Sequence, residues 1–139
     1  MPYDRIQGEI LAAFEKRCKK CVPISGDSAL ELEAEIRKYF CDSGKSGGQL
    51  WESIRVAEEQ FLGGENQPLL EALSIENESI RVLIDDWKGY SAIEVGSSSD
   101  FAIILSDFYN FKWYALTSNG SKLICRNDHD YMIISLKAL

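Results

Sequence analysis

A change of hydrophobic period near Ser74 limits what this chain can fold into more than any other feature. Before it, apolar residues recur at helical spacing: Ile6, Ile10, Leu11 and Phe14 form one stripe, and Leu32, Ile36, Tyr39 and Phe40 a second. Leu50, Ile54, Ala57 and Phe61 form a third, with Trp51 beside it. From Ile80 onward the period shortens to two. Ile80, Val82 and Ile84 alternate with Arg81, Leu83 and Asp85, and Ile93 and Val95 alternate with Ala92 and Glu94. Helices followed by strands predict an α+β protein: about four N-terminal helices packed on one face of a C-terminal antiparallel meander of five to six strands.

Punctuation sets the expected boundaries. The first helix is predicted over Asp4 to Lys20, with Lys16, Arg17, Lys19 and Lys20 complementing the dipole of its last turns and Pro23 ending it. Ser28-x-x-Glu31 matches a capping box, and Gly44 stands where the second helix should be capped. A third helix is predicted over Gln49 to Leu62, ended by Gly63-Gly64, and Pro68 suits the first turn of a short fourth. Within the connector at 42–48, Gly44-Lys45-Ser46 echoes a phosphate loop, but Tyr39 occupies the position of that motif's first glycine and a helix precedes it.

In the β half, Phe101 to Leu105 is apolar on both faces and is predicted as a central strand. The hairpin Trp113 to Arg126 turns at Asn119-Gly120, a pair that tolerates the positive φ angles of a type I′ turn. That loop sets Leu116 against Leu123, Tyr114 against Cys125 and Trp113 against Arg126. Tyr131 to Ile134 supplies the last strand. The whole, residues 1–139, is expected as a single domain with a helical part at 1–74 and a β part at 75–139, because neither part alone carries enough apolar surface.

No apolar run approaches the roughly 18 residues of a membrane span, and an acid and a base interrupt the N-terminus at once, so a cytoplasmic location is expected. The formal net charge is −7. Residues 1–64 hold 11 acids and 9 bases, and residues 65–139 hold 11 acids and 6 bases. Such a chain is repelled by nucleic-acid phosphates and attracted to cationic partners, so no free nucleic acid and no membrane is expected among its partners.

Catalytic and metal chemistry find little footing. Cys18-Lys-Lys-Cys21 is a single CxxC, Cys41 and Cys125 are isolated, and His129 is the sole histidine. A composite zinc site would need Cys18 and Cys21 on one helix face, and a cysteine nucleophile would need Cys125 to meet His129. Neither is expected, and no cofactor motif occurs.

Two clusters of aromatic and acidic residues in the β half stand out instead. One is Asp85, Asp86, Trp87 and Tyr90; the other is Asp107, Phe108, Tyr109, Asn110, Phe111 and Trp113. Rigid aromatic rings with few rotors and acids that select a cation together have the composition of an interface. Asp85, Asp86, Trp87, Tyr90, Asp107, Tyr109, Asn110 and Trp113 are therefore the predicted partner-binding residues. Phe108 and Phe111 fit a core under the helices equally well.

With its charge of −7, Asp85-Asp86-Trp87 and Asp107-Phe-Tyr-Asn110, the chain resembles the immunity proteins of bacterial toxin systems, such as those of contact-dependent growth inhibition. The resemblance is one of character over the whole chain. It implies a non-catalytic protein that binds a cognate basic toxin domain, often a nuclease, and occludes its active site. A small hydrolase or transferase with a site between sheet and helices is the alternative expectation, and an adaptor or self-associating subunit the third. Oligomeric state is left open by the sequence.

Overall fold

The hairpin at Trp113 to Arg126 forms in the expected register: Trp113 lies opposite Arg126, Tyr114 opposite Cys125 and Leu116 opposite Leu123. Its turn differs in type. Gly120 takes a positive φ of 73° but Asn119 does not, and the Gly120 N–H closes a four-residue turn on the Thr117 carbonyl at 2.9 Å. The Asn119 side chain completes it, accepting from the Ser121 N–H at 3.0 Å. A side-chain acceptor thus replaces the backbone geometry of type I′.

The computed structural model describes residues 5–42, 50–86, 89–106, 108, 111–127 and 129–137. In chain order the elements are α1 (Arg5–Lys16), β1 (Cys21–Ile24), α2 (Gly26–Phe40), α3 (Leu50–Ser53), β2 (Glu58–Phe61), α4 (Gln67–Glu76), β3 (Ile80–Asp85), β4 (Tyr90–Val95), α5 (Ser98–Leu105), β5 (Lys112–Thr117), β6 (Lys122–Arg126) and β7 (Tyr131–Leu136). The class is α+β. The strands form one seven-stranded sheet in the order β1-β4-β3-β5-β6-β7-β2, antiparallel throughout.

Helices cover both faces, not one. Ile10 and Phe14 of α1, Leu69 and Leu73 of α4 and Phe101 of α5 pack on Val82, Ile93, Trp113 and Ile124. Leu32, Ile36 and Phe40 of α2 and Leu50 of α3 pack on Leu83, Tyr114, Leu123 and Cys125 of the other face. Two-sided burial explains why β3, β5 and β7 read as nearly continuous apolar runs. Polar ties fix the layers as well: Gln7 Nε2 donates to the Ala92 carbonyl at 2.7 Å, and Arg81 meets the Glu35 carboxylate through two bonds of 3.2 Å.

Four segments depart from expectation. α1 stops at Lys16, where Cys18 turns left-handed at φ 56° and the Lys19 N–H returns to the Phe14 carbonyl at 3.0 Å. The chain then forms the edge strand β1, a position that tolerates Pro23. The observed N-cap of α2 is Ser25, whose Oγ accepts from the Ser28 N–H at 3.4 Å, and its C-cap is Cys41; Gly44 lies outside the described residues.

The helix predicted over Gln49 to Leu62 is only the single turn α3, followed by an extended stretch and β2. β-branched Ile54 bridges Cys41, and the Arg55 guanidinium donates to the carbonyls of Tyr39 (2.5 Å) and Cys41 (2.9 Å). Those tertiary bonds require an extended backbone and override a helical period of only four residues. Phe101 to Leu105 is helix α5, not a central strand. A fully apolar run of this length has no period that separates buried strand from buried helix. The preceding serines resolve it: Ser98 Oγ donates to the Leu73 carbonyl at 2.6 Å, and the Ser97 and Ser99 hydroxyls donate to Asn77 Oδ1 at 3.0 and 2.8 Å.

Candidate functional site

The antiparallel register brings together Asp85 and Tyr90 of the first predicted cluster. Asp85, at the end of β3, lies between Tyr90 of β4 and Lys112 of β5. Tyr90, Asp85 and Lys112 therefore form a row on the sheet face that α2 covers. Lys112 Nζ is 3.9 Å from Asp85 Oδ2, so this acid already has a cation beside it. Above the row, Arg37 Nε donates to Glu33 Oε2 at 2.9 Å across one turn of α2. Burial pushes the half-buried Tyr90 hydroxyl up to about 12, with the Asp85 and Glu33 carboxylates adding to the shift.

The other predicted residues separate. Asp86 is only 9% exposed, and its Oδ2 has no hydrogen-bond partner among the described residues. Trp113 must be corrected: it is 0% exposed, on the opposite face, with Phe101 edge-on at 5.1 Å. A ring sealed there touches no partner. Pairing with Ile84 and Arg126 fixes its strand, and alternation turns it towards α5. Trp87, Asp107, Tyr109 and Asn110 lie outside the described residues.

Burial opposes activation of the thiols on the sheet, Cys21 and Cys125. Cys18 lies past the end of α1 and Cys21 on β1, so they do not share a helix face. Burial raises the Cys21 thiol to about 11 and the fully buried Cys125 thiol well above its ordinary value, opposite to what a nucleophile needs. His129 is exposed in the β6–β7 turn, its backbone N–H bonded to Asn127 Oδ1 at 3.0 Å. Among the described residues no group of three or more His, Cys, Asp or Glu side chains is placed to hold a metal ion.

The β2 edge of the sheet carries a surface that the sequence reading missed. Residues 52–78 contain seven of the 22 acids (Glu52, Glu58, Glu59, Glu65, Glu71, Glu76 and Glu78) and one of the 15 bases, Arg55. This stretch contributes almost the whole of the net charge, and it builds β2, the terminal strand beyond β7, and α4. All four residues of β2 are exposed. Phe61, 60% exposed, packs its ring 5.2 Å from that of Tyr131. Between α4 and the edge strands runs a groove of about 360 Å³ lined by Glu58, Glu71, Lys122, Ile75, Ile134 and Leu136, among others. Ile75 is 78% exposed and Leu136 56%. Charge density over residues 52–78 was the available signal. Reading 49–62 as one amphipathic helix hid it by assigning Phe61 to the core.

No protein-family model, no curated protein and no solved structure matches this chain.

Proposed function

We propose that this chain is a non-catalytic binding protein, of the kind found in bacterial toxin–immunity pairs, that neutralises a basic toxin domain in the cytoplasm by covering its active site. The observation that carries the reading is the exposed edge strand β2, where Glu58 and Glu59 stand beside the uncovered Phe61, with Glu71 and Ile75 lining the adjoining groove. Carboxylates there stand in for the substrate phosphates of a basic enzyme, and exposed rings and aliphatic side chains supply the contact area that fixes register. The row at Asp85 and Tyr90 offers a second, less charged contact region, because Lys112 and Arg37 offset its acids.

The test starts from the adjacent gene, which this reading expects to encode a basic toxin domain. Co-expression should restore growth of cells producing that domain. Calorimetric affinity should fall at least about tenfold between low salt and ~1 M salt, where screening shortens to about 3 Å. Full toxin activity at an equimolar ratio of purified chain would refute the reading.

A further inference from the structure

We infer that β2 is a docking edge, and that the partner adds an extended, lysine- or arginine-bearing segment to it as an eighth antiparallel or parallel strand. The inference rests on the proposal that the partner is cationic, and it adds the mode and place of contact.

The backbone comes first. Leu62 N–H donates to the Asp130 carbonyl at 2.7 Å, which fixes the phase of the β2–β7 ladder, whose partners are Gln60 with Met132 and Glu58 with Ile134. In an antiparallel pair only alternate residues turn their N–H and C=O to the neighbour. Gln60 and Glu58 thus bond β7, while Glu59 and Phe61 direct their N–H and C=O away from the sheet. Ala57 N–H also reaches the Ile134 carbonyl, at 2.9 Å, so the inner ladder is satisfied to its start. The outward groups of Glu59 and Phe61 are a template for one more strand.

The side chains select its chemistry. A strand laid along β2 sends alternate residues to the two faces. One set passes over Glu58 and Gln60 towards the groove with Glu71 and Ile75; the other lies beside Glu59, Phe61 and Tyr131. Both faces meet carboxylate and apolar surface together, with Glu58 and Glu71 outnumbering Lys122 in the groove, so the matching segment carries basic and apolar residues mixed. A second copy of this chain is a poor occupant. Pairing β2 with itself crowds Glu58 and Glu59 of one copy against those of the other, and acids on an edge strand oppose that association. The other terminal strand, β1, carries Pro23, which lacks the amide a ladder needs.

The experiment titrates the full chain with a short capped peptide of alternating Lys and Val, and with the same peptide bearing Glu for Lys, while amide hydrogen exchange is followed. The Lys peptide should bind more tightly than the Glu peptide by at least about tenfold, or about 1.4 kcal/mol, and should slow exchange of the Glu59 and Phe61 amides. Glu59→Pro removes an outward amide and no bond to β7, and should weaken the Lys peptide by at least tenfold with the far-ultraviolet spectrum unchanged. Glu59→Lys, which keeps the amide, should weaken it as well. Unchanged affinity in a folded Glu59→Pro chain, or no protection of those two amides, overturns the inference. So does concentration-dependent protection of them without peptide, which would assign the edge to a second copy. Should Glu59→Pro still neutralise the basic domain as well as the parent, the docking edge fails while the proposed function stands; loss of neutralisation by the parent itself is failure of that function.

Discussion

Trp113 is enclosed between β5 and α5, and Phe101 meets its ring edge-on. Removing that ring leaves a cavity the core cannot fill, so Trp113→Ala should cost about 3–5 kcal/mol in denaturant unfolding. Phe61 has the opposite profile. It is largely exposed, and Phe61→Ala should change stability by no more than about 0.5 kcal/mol while weakening binding of the proposed basic partner severalfold. Reversed magnitudes, a mild Trp113→Ala and a strongly destabilising Phe61→Ala, would contradict this assignment of core and surface. Aromatic identity alone does not separate the two residues. Strand phase does, and it follows from pairing partners far apart in sequence.

Asp130 joins two elements. One oxygen of its carboxylate is 2.6 Å from an Arg126 guanidinium nitrogen on β6, and the other accepts from the Gly64 N–H in the turn that follows β2. These bonds hold the carboxyl below its ordinary range, the Arg126 bond most of all. The folded chain therefore takes up this proton less readily than the unfolded chain. The resulting stability is present above the unfolded value of about 4 and is lost as pH falls through the lowered folded value. In urea unfolding, Asp130→Asn should be less stable than the parent at neutral pH, and the gap should close below about pH 4. A gap independent of pH would show that Asp130 contributes nothing through its charge.

The same elements show how far sequence reaches. β3, β4, β7, α4 and the β5–β6 register were legible because period and turn chemistry agree locally. β2 and α5 were not. β2 is held by the Cys41–Ile54 bridge, the Arg55 bonds and its pairing with β7, all between residues distant in the chain. α5 is an apolar run whose form is set by the serines that attach it to α4. The adjacency of Tyr90, Asp85 and Lys112 likewise follows from strand order. Because the acidic edge depends on β2, it shared the fate of that strand's assignment.

For the molecule as a whole, among the described residues a three-layer arrangement leaves open backbone at the two terminal strands, β1 and β2. The acid-rich stretch builds one of these edges, while the other carries a proline. Negative charge gathered at an uncovered edge speeds encounter with a cationic partner and disfavours self-pairing. No helix among the described residues is long and apolar enough to cross a membrane. The most direct measurement is a binding titration of the proposed basic partner against the parent, a Glu58→Lys/Glu59→Lys/Glu71→Lys variant and an Asp85→Asn variant. The charge-reversed edge should lose at least about 100-fold in affinity, mostly through slower association at low salt, while Asp85→Asn stays within about threefold. A folded edge variant that binds as tightly as the parent would contradict the claim that this edge grips the partner.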